Sequence, residues 1–155
     1  MVKNLDDNSF PPLIDHVGWR LGRLFRRWKI AFDAEMVARG FGFMAEARGA
    51  VIGNLRPAGA SQTTIAQALG ISKQAVQQLV DELETEGVVM RIGNPADARG
   101  KLVVLTAKGA EAIRVGNEVK REIEASYRRR LGEPAFTAMM EALDGLWEDP
   151  DISGR

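Results

Sequence analysis

Glutamines and a lysine recur on one face of a short predicted helix, where they could form hydrogen bonds with a partner. The helix follows Ser72, and apolar residues at i, i+3, i+4 and i+7 form its buried face: Val76, Leu79, Val80 and Leu83. The opposite face carries Lys73, Gln74, Gln77, Gln78 and Asp81. Glutamine can form two hydrogen bonds with a base edge, and lysine can contact guanine or a phosphate. The pattern favours a helix that reads the major groove of DNA over a solvated face that happens to be rich in glutamine, and it leaves open which glutamine does the reading.

A second short helix precedes this one, and a tight turn separates the two. Ser61 is placed to cap a helix over residues 63–69, Gly70 and Ile71 form the turn, and Ser72 is placed to cap the next helix. In both cases the serine hydroxyl can accept a hydrogen bond from a free backbone N–H of the first helical turn. The chain from residue 61 therefore predicts a helix-turn-helix.

Two strands follow the helix-turn-helix and predict a β-hairpin with a long tip, or wing. Residues 88–92 and 101–105 have strand character, and residues 93–100 between them are rich in turn formers. Arg99 in the tip could enter the minor groove, and Lys101 could contact the DNA backbone. Asp97 could pair with an arginine to hold the tip in shape, or it could simply stabilise a turn.

The stretch TIAQALGISKQAVQQLVDELETEGVV, followed by NPADARGKLVVLTAKG, resembles the winged helix-turn-helix of the MarR family of bacterial transcriptional regulators. The most specific part is Asp97-x-Arg99 followed by LVVLT. The resemblance implies a mainly α fold with a small β-hairpin wing, in a single chain over residues 1–155. It implies a DNA-binding region over residues 41–106, and dimerisation helices within 11–40 and 107–150.

The same resemblance implies a DNA-binding transcriptional regulator, a repressor rather than an activator, that binds a pseudo-palindromic operator as a homodimer. The implied DNA contacts are Ser61, Thr63, Ser72, Lys73, Gln74, Gln77, Gln78, Asp97, Arg99 and Lys101. Two recognition helices about one turn of DNA apart would supply the specificity that one short helix lacks. Many relatives carry a second arginine where this chain has Ala98.

Long helices are predicted on both sides of the winged region. Helical periodicity covers residues 13–37, 44–55, 107–131 and 134–148, with a flexible start at 1–10 and a frayed tail at 148–155. The helices at the two ends have apolar stripes too extensive to face water. They must pack on each other within one chain or pair across a dimer.

Some side chains of the first helix could serve a ligand. Arg20, Arg23 and Arg27 share a face that could contact phosphate or a ligand carboxylate, or could be solvated or paired with acids of the C-terminal helices. Family members often bind small aromatic or anionic effectors between their helical and winged parts. The residues here that could line such a pocket, or could simply pack in the core, are Trp19, Arg20, Phe25 and Arg48.

Composition argues against several other classes of protein. No apolar run is long enough to span a membrane, no signal-peptide pattern begins the chain, and the absence of cysteine fits a reducing cytoplasm. His16 is the only histidine, so we expect no metal site, and no catalytic constellation or cofactor motif is present. The net charge is zero, which is unusual for a DNA-binding protein. The alternative is therefore a winged-helix protein-interaction module without specific DNA binding.

Overall fold

A computed structural model describes residues 13–147, apart from the side chains of Glu46 and Ala98, and in it helices flank a two-stranded antiparallel hairpin. The elements in chain order are α1 (Val17–Ala38), a 3₁₀ turn (Gly42–Met44), α2 (Glu46–Gly53), α3 (Gln62–Leu69), α4 (Lys73–Thr85), β1 (Val89–Asn94), β2 (Asp97–Leu105), α5 (Ala107–Leu131) and α6 (Glu133–Trp147). The predicted fold class, mainly α with a β-hairpin wing, is confirmed. The flexible start and the frayed tail predicted at residues 1–10 and 148–155 lie outside the described residues.

Serine hydroxyls cap α3 and α4 as the sequence predicts, and a threonine hydroxyl caps α5. The hydroxyls of Ser61, Ser72 and Thr106 accept hydrogen bonds from the backbone N–H three residues later, at 3.1–3.2 Å. Helix α1 begins four residues later than predicted because His16 caps it, with Nδ1 accepting from the N–H of Trp19 at 3.4 Å. Gly70 ends α3 with φ of 64°, a left-handed conformation that glycine adopts at no steric cost.

The wing has longer strands and a shorter tip than the sequence predicts. Pairing runs from Val89 opposite Leu105 to Gly93 opposite Lys101, and after an irregularity it resumes with Asn94 opposite Asp97. The predicted eight-residue tip at 93–100 was therefore wrong, since only residues 95 and 96 separate the two strands. Turn-forming residues therefore lie at the ends of the strands themselves. Asn94, the last residue of β1, accepts a hydrogen bond at Oδ1 from the N–H of Ala96 at 3.0 Å.

One apolar core joins the winged region to the flanking helices. Its fully buried side chains come from α1 to α5 and from both strands: Met36 of α1, Val51 and Ile52 of α2, Ile65 of α3, Val76, Val80 and Leu83 of α4, Val89 and Val103 of the wing, and Val119 of α5. The loop before α3 is also attached to the wing, since Ala60 and Val103 exchange two backbone hydrogen bonds at 3.0 and 2.9 Å. The helix-turn-helix and the wing are thus held as one unit.

The terminal helices are only partly covered within one protomer. The C-terminal half of α1 buries Phe32 and Met36, whereas Val17, Leu21 and Phe25 in its N-terminal half remain exposed. Helix α6 buries Phe136 but exposes several large apolar side chains: Met140, Leu143, Leu146 and Trp147. Packing within the chain thus accounts for only part of the predicted apolar stripes. No helix in residues 13–147 is long and apolar enough to cross a membrane.

Candidate nucleic-acid interface

Helix α4 presents the predicted reading face to solvent. Its apolar side is packed as expected, with Val76, Val80 and Leu83 fully buried and Leu79 half-buried. Lys73, Gln74, Gln77 and Gln78 are exposed on the other side. Gln78 lies within 3.5 Å of Glu82, whereas no side-chain hydrogen bond joins Gln74 or Gln77 to another described side chain. Both glutamines are therefore free to bond to a partner.

The first turns of α3 and α4 supply the other predicted contacts of the helix-turn-helix. Thr63 is exposed on the first turn of α3. Ser61 and Ser72 are engaged as helix caps, and the Ser61 hydroxyl also lies 2.8 Å from Thr64 Oγ1. Each serine hydroxyl retains capacity for a further hydrogen bond, because a hydroxyl has one donor and two acceptor sites.

Arg91 on β1 connects the wing to α4, a role that the sequence reasoning missed. Its guanidinium contacts Glu84 and lies 2.5 Å from Asp81 Oδ1, and its backbone N–H donates to Glu84 Oε1 at 3.0 Å. The arginine side chain is only 18% exposed. The spacing of Asp81 and Glu84, one turn apart on the helix before the hairpin, could have indicated a shared partner. Arg91 is therefore a structural cation and not a free one.

Four cations of the winged region form no ion pair with any described side chain. They are Arg56, Lys73, Arg99 and Lys101, and all four are exposed. The other two described cations of the region, Arg48 and Arg91, pair with acids of α4 and its C-terminal end. The zero net charge of the chain therefore hides a winged surface with free positive charges, as phosphate binding requires.

Asp97 stabilises the wing through the backbone. Its Oδ1 accepts from the N–H of Arg99 at 2.9 Å, and its carboxylate forms no ion pair with a residue from 13 to 147. The geometry therefore supports the interpretation that Asp97 stabilises a turn. By fixing the backbone of Arg99, this hydrogen bond sets where the arginine side chain leaves the wing.

The four predicted ligand residues do not come together in this fold. Arg48 lies between α2 and α4, where its Nη1 is 2.6 Å from Glu86 Oε1. Arg20 contacts Asp15, a hydrogen bond that raises the pKa of its guanidinium. The Trp19 ring stacks under Arg23, whose Cζ is 4.5 Å from the ring centroid. Within the described residues these four side chains thus line no common pocket, because Trp19 and Phe25 have different surroundings on α1 and Arg48 of α2 is turned towards α4.

Phe25 lines a different cavity, an apolar groove of about 450 Å³ between α1, α5 and α6. The groove is lined by Leu21, Leu24, Phe25, Trp28, Lys120, Glu124, Tyr127, Phe136, Met139, Met140 and Leu143. Trp28 stacks against Phe25 and Phe32, with ring centroids 6.1 and 5.3 Å away.

No cluster of three or more potential metal ligands occurs among the described His, Asp and Glu side chains.

The sequence of the winged region is similar to that of known proteins. A sequence model of the MarR family matches residues 47–100. A candidate transcriptional regulatory protein for the hcr operon of Thauera aromatica is 28% identical over 90 residues, which cover 57% of this chain and 54% of that protein. The alignment thus spans about half the length of this curated relative.

Two solved structures share the fold. CouR from Rhodococcus jostii RHA1, solved with bound p-coumaroyl-CoA, is 27% identical with a TM-score of 0.62, over 85% of this chain and 90% of CouR. A point mutant of MepR from S. aureus, solved with a bound oligodeoxyribonucleotide, is 20% identical with a TM-score of 0.62, over 86% of this chain and 97% of MepR. Their coverage extends the likeness from the winged region to the flanking helices.

Proposed function

We propose, because a sequence model of the MarR family matches residues 47–100, that this protein is a DNA-binding transcriptional repressor that binds a pseudo-palindromic operator as a homodimer. The observation that carries the proposal is the free polar face of α4 beside a wing with free cations. Gln74 and Gln77 have no competing hydrogen bonds, and Lys73 and Arg99 have no ion pairs among the described residues. Such a repressor would act in the cytoplasm of a bacterial cell, where the DNA lies.

In the proposed complex, α4 enters the major groove and the wing lies over the adjacent minor groove. Gln74, Gln77 and Gln78 bond to base edges, and Arg99 enters the minor groove, where its negative potential is strongest. Lys73, Lys101 and the hydroxyls of Ser61, Thr63 and Ser72 contact phosphates. The MepR structure supports DNA as the partner of this fold, since that chain is bound to an oligodeoxyribonucleotide.

The dimer follows from the need for specificity and from the exposed apolar surface. One short helix reads few base pairs, so two copies are needed for a selective operator. We assign DNA contact to residues 41–106 and dimerisation to helices within 11–40 and 107–150. The exposed apolar side chains of α1 and α6, among them Phe25, Leu143 and Trp147, support this division.

A small aromatic or anionic effector completes the proposal, by releasing the repressor from DNA. The groove between α1, α5 and α6 offers apolar walls and the Lys120 ammonium, which suit an aromatic acid, and the one carboxylate in its lining, Glu124, is paired with Arg128. CouR supports this part, since that chain is bound to p-coumaroyl-CoA. To act, the effector must bind one geometry of the dimer more tightly than the other.

The test is binding of the purified protein to the DNA flanking its own gene and to a random duplex, at two salt concentrations. Fluorescence anisotropy gives the affinity, and light scattering gives the stoichiometry of the complex. We expect sequence-preferring binding by a dimer, with affinity that falls steeply with salt because phosphate contacts release counterions. Equal, salt-insensitive affinity for both duplexes would reject the proposal and favour a winged-helix module that binds a protein.

A further inference from the structure

Glu82 differs from the three acids that surround it near the C-terminal end of α4. Asp81, Glu84 and Glu86 each contact an arginine guanidinium. Glu82 is exposed, and no ion pair joins it to another side chain that the structure describes. Folding therefore neutralises the other three acids, whereas the carboxylate of Glu82 keeps its negative charge uncompensated among the described side chains.

This carboxylate lies on the glutamine-bearing side of α4. Gln74, Gln78 and Glu82 follow one another at intervals of four residues, so they form one line along the surface of the helix. The Nε2 atom of Gln78 lies 3.5 Å from Glu82 Oε1. Glu82 also lines the same open cleft as Gln74, Gln77 and Gln78. A free carboxylate thus stands on the surface that the proposed function places in the major groove.

A carboxylate at this position imposes a requirement on the DNA. Phosphates repel it, and it loses water as the groove closes around it, so the cost must be offset by a hydrogen-bond donor. In the major groove the donors are the amino groups of cytosine N4 and adenine N6. Thymine O4, guanine O6 and guanine N7 are acceptors, and they cannot compensate a negative charge. Binding should therefore depend on which base lies opposite Glu82.

We propose that Glu82 is a specificity-determining residue whose carboxylate accepts a hydrogen bond from the amino group of a cytosine or an adenine in each half-site. This inference rests on the DNA binding of the proposed function and adds to it a residue that selects mainly by rejection. Where no amino group lies opposite, the charge is left buried against acceptors. The penalty exceeds the loss of a neutral hydrogen bond because a charged group is left without a partner.

Selection of bound sequences from a randomised duplex library tests this role. We expect Glu82→Ala to lose about tenfold in base preference at one position of each half-site, with the other positions unchanged. The matched control is Glu141→Ala, which removes an exposed glutamate of α6 that has no ion pair with a described side chain. The control changes the net charge equally and should keep every preference. Circular dichroism checks that both variants keep their helical content.

Deleting the amino group from the DNA identifies the contact. The selected duplex is made with the cytosine or the adenine at the affected position replaced by the same base without its amino group. The unmodified chain should lose about tenfold in affinity on one of these two duplexes, which shows whether the donor is cytosine or adenine. Glu82→Ala should bind the complete and the deleted duplex almost equally. An equal loss for both chains would overturn the inference.

Affinity for a random duplex provides a second readout. Glu82→Ala should bind it more tightly by roughly fivefold, which is the effect in water of removing one unit charge about 4 Å from another. Added salt should reduce this gain, since it screens the repulsion. Glu141→Ala should show no such gain. A gain of equal size in the control would mean that net charge alone is responsible, and it would contradict a role for Glu82 in the groove.

Gln78→Ala separates direct reading by Glu82 from an effect through its neighbour. If Glu82 reads the base itself, the preference at its position persists in Gln78→Ala. Loss of that same position in both variants would show that Glu82 only supports Gln78, and would overturn the inference.

The selection also separates this inference from the proposed function. If the unmodified chain enriches no sequence, the proposed function fails and the inference fails with it. If the unmodified chain enriches an operator and Glu82→Ala enriches the same operator with the same preferences, only the inference fails.

Discussion

The carboxylate of Glu84 bridges the backbone and side chain of Arg91: one oxygen accepts the backbone N–H at 3.0 Å, and the other contacts the guanidinium. This contact links α4 directly to β1. Two acids of α4 therefore neutralise a cation of the wing, with Asp81 as the second. Helix α4 and the wing are held at one angle, as the proposed contact with two grooves requires.

Replacing Arg91 by alanine should loosen this connection. We expect the free energy of unfolding to fall by about 1.5–3 kcal/mol, because hydrogen bonds to charged groups are lost and two neighbouring carboxylates are left without their cation. Urea denaturation measures the change. Arg121→Ala removes an exposed arginine of α5 and should alter stability by less than about 0.5 kcal/mol. Equal effects of the two substitutions would contradict a structural role for Arg91.

Arg99→Ala tests the wing as a source of general affinity. The side chain is exposed, and the backbone of Arg99 is fixed by Asp97. Affinity for operator and random duplex should both fall, by about tenfold, and the salt dependence should lose about one unit of slope. Anisotropy titrations over a range of salt concentrations give both quantities. A loss confined to the operator would show that Arg99 acts in sequence reading.

Gln77→Ala tests the helix as a source of specificity. Its side chain is exposed on the reading face without a competing hydrogen bond among the described residues. Discrimination at one position of each half-site should drop by about 1–3 kcal/mol, since a glutamine–adenine pair supplies two hydrogen bonds. Binding to random duplex should be unchanged. The measurement is a series of single-base operator substitutions, with Gln67→Ala on α3 as the matched control, and equal loss on all sequences would argue against base reading by Gln77.

Gly59→Ala tests how the loop before α3 is attached to the wing. Gly59 has φ of 81°, and an added Cβ would lie 2.7 Å from Val104 Cγ1 and 2.8 Å from the Val103 carbonyl oxygen. We expect a loss of about 1–3 kcal/mol from backbone strain alone, and more from the steric conflict. Gly53→Ala in α2 adds a Cβ that meets nothing within 4 Å, and should leave stability equal or slightly higher. Thermal unfolding compares the two variants. An unchanged melting temperature for Gly59→Ala would show that the contact between this loop and the wing does not contribute to stability.

Local sequence rules determined much of this architecture. Capping hydroxyls at Ser61, Ser72 and Thr106, and a glycine at position 70, mark helix ends because they act on backbone groups a few residues away. Helical periodicity likewise identified the buried face of α4 and, by exclusion, its glutamine-bearing face. These features depend on neighbours along the chain, so the printed sequence is enough to find them.

Contacts between elements distant in sequence were decided only by the tertiary structure. Arg48 and Arg91 look like free cations in the sequence, but packing brings Glu86, Asp81 and Glu84 against them. The predicted effector residues were separated because α1 turns Trp19 and Phe25 to different surroundings and α2 carries Arg48 to α4. Whether a charge is free or paired depends on its neighbours in space, and those are set by how the helices pack and not by spacing along the chain.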